Sequence, residues 1–298
     1  MAPDGHAIRW IDWRVDDAAG RGSLLFLPGR GDAYEKYLET LDCWHRQGWQ
    51  VTAADWRGQA GSGRLGGDAV TGHVEDFAPW VEDIGALWRE WRQSTPPPHV
   101  IVGHSMGGHL VLRALAEGRV NADAAVLVVP MLGLIDHGVP AGLLHGFARA
   151  MAAVGDPRRP AWKWGEKPLV LPADRMDLLT NDAERYADEI WWREARPEIA
   201  MGPGSWGWVA SAYASIRGLN RPGLLERIAI PVLLLAVEVD RLVDVRAIER
   251  AAKRLPYGEL VRFGGKARHE LLREVDSIRE PVLAAIDEFL GRVAPAGG

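Results

Sequence analysis

Short runs of β-branched and leucine residues recur along the chain, and between them the apolar positions change to helical spacing. The runs SLLFLPG (23–29), WQVTAADW (49–56), HVIVGHS (99–105), AAVLVVP (124–130), PVLLLAVEVD (231–240) and ELVRFGG (259–265) read as strands buried on both faces. The opening AIRWIDWRV alternates apolar and polar positions, which predicts an antiparallel edge strand. Spacing of i, i+3, i+4 predicts helices in AYEKYLETLDCWHRQG, VEDFAPWVEDIGALWREWRQ and MGGHLVLRALAEGR. RLVDVRAIERAAKRL and IREPVLAAIDEFLGRV, after the last two strands, carry the same spacing. Strands alternating with helices predict an α/β chain, its mostly parallel sheet covered on both faces.

The alternation stops between residues 132 and 225, where Gly and Pro breaks separate helical patches such as AGLLHGFARAMAAVG and DAERYADEIWWREARPEIA. That divides the chain into residues 1–131 and 226–298 as one core and 132–225 as a helical insertion. The tail APAGG reads as disordered.

Composition narrows the function. With 47% hydrophobic and 25% charged residues, the 298-residue chain has a soluble globular make-up. A net charge of −5 without a Lys or Arg block does not suggest a nucleic-acid partner. The single cysteine, Cys43, cannot pair internally; it fits a reducing, cytoplasmic compartment and reads as a buried structural thiol. The N-terminus has no basic-then-apolar secretory pattern, and the longest apolar run, broken by Pro130, is too short to span a bilayer. The 14 tryptophans against 5 Phe and 5 Tyr are unusual, and several cluster between residues 160 and 210.

The chemistry starts at GHSMG, residues 103–107, a G-x-S-x-G pattern where a strand gives way to a helix. Small residues at Gly103 and Gly107 let the two elements approach, so Ser105 is thrust out at the carboxyl edge of the sheet, where open α/β sheets bind ligands. A serine needs a base, and the base an orienting carboxylate; in this architecture they follow in the order Ser, acid, His. Of the histidines downstream, His137 and His145 fall in the insertion, whereas His269 follows the last strand through the loop GGKARHE. His269 is therefore the expected base. Asp240 ends a strand and is preferred as the acid over Asp244, placed in or capping the next helix, and over Glu238; Glu270 reads as a structural partner. The backbone N–H groups of Arg30 and Met106 are the expected oxyanion donors, while the Arg30 guanidinium can equally be a surface or supporting charge. No metal-ligand cluster or phosphate-binding glycine motif competes, so no cofactor is expected.

With these residues in hand, the chain resembles the α/β-hydrolase superfamily, and within it the lysophospholipase L2 and monoacylglycerol lipase group, also called serine aminopeptidase S33-like or hydrolase 4. The likeness runs through PGRGDAYEKY, DWRGQAGSGR, HVEDFAPWVEDI, GHSMGG, DRLVD, RHELLRE and the segment LLTNDAERYADEIWWREARPEIAMGPGSWGWVASA. It implies a mostly parallel eight-stranded sheet flanked by helices with a helical cap, and a catalytic triad of Ser105, Asp240 and His269. One departure stands out: Pro28-Gly29 replaces the His-Gly of many monoacylglycerol lipases and leaves the backbone donor intact. Asp55 and Arg57 read as structural loop-formers.

The insertion is expected to cap the site. Trp162, Trp164, Trp191, Trp192, Trp206 and Trp208 serve either its own core or an acyl-chain tunnel, and Trp206 and Trp208 are the expected substrate-binding residues. The favoured reading is a carboxylic-ester hydrolase acting on monoacyl lipids, cytoplasmic and in transient contact with membrane surfaces through its cap. An acyltransferase, a general short-chain carboxylesterase and a ligand-binding protein without catalysis are the alternatives.

Overall fold

The computed structural model describes residues 2–14, 20–135, 138–163 and 175–295. The continuous apolar runs become parallel strands: β2 (Gly22–Leu27), β3 (Trp49–Ala54), β4 (His99–His104), β5 (Ala124–Val128), β6 (Val232–Val237) and β7 (Gly258–Phe263). Every residue of β2 to β6 is buried, as strands packed on both faces must be. The alternating opening segment forms β1 (Trp10–Trp13), half-exposed and paired antiparallel to β3, with Trp10 opposite Ala54.

The strand order is β1-β3-β2-β4-β5-β6-β7. This is the α/β-hydrolase arrangement, with a correction to the strand count: among the described residues the sheet has seven strands rather than eight. Among the described residues ahead of β2 there is one four-residue strand, which takes the edge beside β3.

Helices flank this sheet. After a 3₁₀ turn at Tyr34–Tyr37, α1 (Leu38–Arg46) lies against β3. Next come α2 (Ala78–Ser94) and α3 (Met106–Ala116), the latter packed on β4 and β5. Between β5 and β6 run α4 (Ala141–Ala153), α5 (Met176–Leu179), α6 (Ala183–Ala195) and α7 (Trp206–Leu219), with α4 laid against α7. The chain ends with α8 (Val245–Arg254) and α9 (Asp276–Val293).

Much of the tryptophan excess is core. Trp80, Trp88 and Trp91 of α2 are buried, as are Trp44 and Trp49. Trp91 and Trp88 still satisfy their indole N–H groups, on Thr52 Oγ1 (2.8 Å) and Asn121 Oδ1 (2.9 Å). Asp55 and Arg57 hold loops, as expected: Asp55 accepts from the backbone of Tyr34 and the guanidinium of Arg9, and Arg57 pairs with Asp83 and Asp4. Among the described residues no helix is long and apolar enough to cross a membrane.

Candidate active site

Ser105 sits between β4 and α3 at φ +51°, ψ −115°, a left-handed conformation that an L-residue adopts only under constraint. The constraint is contact between neighbouring backbones. A Cβ on Gly103 would lie 2.7 Å from the carbonyl of Gly107, and one on Gly107 would lie 2.3 Å from the carbonyl oxygen of Leu27. Only glycine lets α3 come so near to β2 and β4, and that approach drives the Ser105 side chain outward.

The structure brings Ser105, His269 and Asp240 into a hydrogen-bonded line. His269 Nε2 is 3.0 Å from Ser105 Oγ, and His269 Nδ1 is 2.8 Å from Asp240 Oδ2. The other oxygen of Asp240 accepts the backbone N–H groups of Leu242 (2.6 Å) and Val243 (2.9 Å), which fix the carboxylate in place. Burial opposes the charge on Asp240, but His269 and these N–H groups outweigh it and hold the carboxyl below its ordinary range. Burial likewise disfavours a charged His269, yet the facing Asp240 carboxylate prevails and raises the imidazole above its ordinary value. A hydroxyl so placed can pass its proton to Nε2, and the carboxylate stabilises the resulting imidazolium.

The competing acids lie elsewhere. Asp244 caps α8 through the Arg246 N–H and pairs with Arg250. Glu238 is exposed and accepts from Gly265 N at 3.3 Å. Of the other histidines, His145 is buried in α4 and stacks on Tyr213, while His137 lies outside the described residues.

The N–H groups of Arg30 and Met106 donate to no acceptor among the described residues, and Met106 opens α3 at the positive end of the helix dipole. Arg30 follows Gly29, where a Cβ would stand 3.4 Å from the Ser105 Cβ and 2.7 Å from Asp32 Oδ2. Two donors without a partner among the described residues therefore flank Ser105.

A buried ionic cluster, which sequence reasoning did not find, adjoins this line. Lys36 Nζ meets Asp32 Oδ1 at 2.8 Å, Glu270 Oε1 at 2.5 Å and Glu189 Oε2 at 3.0 Å. Arg175 and Arg193 neutralise the other oxygen of Glu189, each at 2.9 Å, and Arg273 pairs with Glu270 at 2.9 Å. The cluster extends to the nucleophile elbow. Tyr37 Oη donates to Asp32 Oδ2 (2.8 Å) and lies 2.9 Å from His104 Nδ1, and His104 Nε2 is 3.3 Å from the carbonyl of His269. Its local hints were the i, i+4 pairs Asp32–Lys36 and Glu189–Arg193 and the i, i+3 pair Glu270–Arg273; that these pairs meet, from distant parts of the chain, left no mark in the sequence.

Above Ser105 opens a cavity of about 670 Å³, within the range of small-molecule sites. Leu134, Ile135 and Leu178 supply apolar walls, and Trp162, Trp206 and Trp208 line it too. Trp206 is half-buried, with the exposed Phe147 edge-on at 5.5 Å; Trp208 is buried and packs on Phe77. Trp191 is exposed and Trp192 packs beside Ala33, Ala60 and Ile199; neither lines the cavity, and Trp164 lies outside the described residues.

Comparison with known proteins bears on the family and the fold. Residues 18–276 match the family described as serine aminopeptidase, S33. The chain is 32% identical over 287 residues to lysophospholipase L2 of Escherichia coli (strain K12), covering 90% of this chain and 80% of that one. It is 26% identical over 230 residues to the monoacylglycerol lipase of Mycolicibacterium smegmatis, covering 77% and 74% of the two chains. A soluble variant of the monoglyceride lipase from Saccharomyces cerevisiae, solved with a substrate analog, superposes with a TM-score of 0.77 at 18% identity, over 99% of this chain and 94% of that one. At that identity the likeness bears on the fold.

Proposed function

Because the chain belongs to the serine aminopeptidase S33 family and is a carboxylic-ester hydrolase, we propose that it cleaves the ester of monoacyl lipids through an acyl-enzyme on Ser105. The observation that carries this reading is the line from Asp240 through His269 to Ser105, with two unpartnered N–H groups beside it. Ser105 Oγ attacks the ester carbonyl as its proton passes to His269 Nε2. The tetrahedral oxyanion takes hydrogen bonds from Arg30 N and Met106 N, and removal of one such donor elsewhere lowers kcat about 10²–10³-fold. His269 then returns the proton to the departing alcohol, leaving Ser105 acylated. Water, deprotonated by the same imidazole, attacks the acyl group and frees the fatty acid and the serine.

Residues 132–225 serve in this reading as the cap. Support comes from the apolar cavity walls and from the names of the relatives, a lysophospholipase and a monoacylglycerol lipase. One acyl chain fits under such a cover, and the exposed Leu143 and Phe147 of α4 give the cap an apolar surface toward lipid. The test is turnover of a p-nitrophenyl ester chain-length series, followed by monoacylglycerol, lysophospholipid and triacylglycerol. We expect rates to rise with chain length and single-chain lipids to be preferred. Efficient hydrolysis of emulsified triacylglycerol would overturn the substrate reading.

A further inference from the structure

Among the described residues the charges around the cavity do not balance. Its acidic wall residues are Asp32 and Glu270, and Lys36 already engages both. The basic ones are Arg30, Lys163, Arg175 and Arg241. Arg175 is spent on Glu189, but Arg30, Lys163 and Arg241 form no ion pair among the described residues. The cavity therefore presents uncompensated positive charge beside the nucleophile.

Arg30 is the most constrained of these. Its guanidinium lies between two indoles, 5.2 Å from the Trp162 ring and 5.0 Å from the Trp208 ring. Nη2 donates to the carbonyl of Gly202 at 2.7 Å, Nε is buried without a partner, and Nη1 makes no hydrogen bond among the described residues. Burial, with Arg175 and Arg193 nearby, pushes this arginine down to about 10, so an arriving anion would relieve an unfavourable charge. The indole faces and the Gly202 carbonyl hold the fork rigid before any ligand arrives, which favours planar recognition of an oxyanion.

We propose that the Arg30 guanidinium is an anion subsite that selects substrates carrying a phosphate close to the scissile ester, the phosphate of a monoacyl glycerophospholipid. The proposal rests on the monoacyl-lipid reading and deepens it, since it sets phosphate-bearing lipids ahead of monoacylglycerol. The same residue offers its N–H to the oxyanion and its side chain to the head group, so the subsite ties the head group to the position of the ester.

The experiment compares kcat/KM for lysophosphatidylglycerol and for monoacylglycerol of the same acyl chain, in the wild type, Arg30→Gln and Arg30→Lys. Taking the ratio within each enzyme cancels any loss of folded or active protein. Loss of a charge-assisted hydrogen bond should lower the ratio about tenfold to a hundredfold in Arg30→Gln, with most of it kept in Arg30→Lys. An unchanged ratio in Arg30→Gln overturns the proposal and leaves Arg30 as a spacer between tryptophans. A second arm needs no lipid substrate: inhibition of p-nitrophenyl butyrate hydrolysis by glycerol 3-phosphate and by inorganic phosphate. Inhibition by glycerol 3-phosphate in the wild type that weakens in Arg30→Gln supports the subsite even if no lipid is turned over, an outcome that would sink only the lipid reading. If inorganic phosphate inhibits as well as glycerol 3-phosphate, the site binds free phosphate and the selection of a lipid head group is refuted.

Discussion

The ammonium of Lys36 lies 3.0 Å from the carboxylate of Glu189, which joins the turn after β2 to helix α6 in the segment inserted between β5 and β6. Lys36 also holds Glu270, the neighbour of His269, so one buried cation ties that segment to the loop of the proposed base. Lys36→Met should destabilise the protein by about 3–5 kcal/mol at neutral pH, because buried carboxylates lose their counter-charge. Burial opposes ionisation of Asp32, Glu189 and Glu270, yet the surrounding cations hold all three below their ordinary values. Their contribution is thus full above the unfolded carboxylate values near 4 and is lost as pH falls through the folded ones. Denaturant unfolding at pH 7 and at pH 4 should show the gap between wild type and variant shrinking at the lower pH. An equal gap at both would mean that packing, not charge, is what Lys36 supplies.

Replacing Ser105 or His269 by Ala should lower kcat on p-nitrophenyl esters by about 10⁶-fold, and Asp240→Ala by about 10⁴-fold. Asp244→Ala is the control. Its side chain caps α8, so the expected effect is about 1 kcal/mol of stability with near-normal turnover. Loss of activity in Asp244→Ala with retention in Asp240→Ala would reverse the choice of acid.

The pH profile should carry the mark of Asp240. A base must be neutral to take the serine proton, so kcat/KM rises as His269 deprotonates. With the carboxylate raising the imidazole, the midpoint should fall above the ordinary histidine value of about 6.5. In Asp240→Asn the residual activity should rise at lower pH than in the wild type. A midpoint that stays put, or moves up, would contradict the assignment.

The two cavity tryptophans should behave differently. Trp206 is half-buried against the cavity, so Trp206→Ala should weaken long-chain esters more than acetates, at roughly 0.8 kcal/mol for each methylene that loses its cover. Trp208 is also a core residue, and Trp208→Ala should cost about 3–5 kcal/mol of stability. Thermal unfolding and the chain-length series together separate the two; equal losses on short and long esters in Trp206→Ala would count against an acyl site there.

The strands were legible in the sequence because continuous burial leaves continuous apolar runs, but the runs overshoot the strands. SLLFLPG extends past Leu27 and PVLLLAVEVD past Val237, and the overshoot holds Gly29, Arg30's neighbour, and Asp240. Backbone pairing ends there because the chain turns aside to present side chains at the sheet edge. Proximity across the fold was not legible. Asp32, Glu189 and Glu270 come from separate elements, and no local pattern says that they surround one lysine. Nor does sequence alone separate Trp206 from Trp208, whose two-residue offset on α7 turns them to different faces of one helix.

The spacing of the two free N–H donors is set by backbone touching backbone: with only hydrogen on Gly107, α3 rests directly on the carbonyls of Leu27 and Pro28. The sheet-to-helix seam thus acts as the calliper of the proposed oxyanion site, with no side chain between its jaws. Substitutions at Leu110 or Val111, one turn on from Gly107 and on its face of α3, press on that calliper although both side chains are fully buried. In a programme selecting for thermal resistance, such core variants would register first as altered turnover and only afterwards as altered melting.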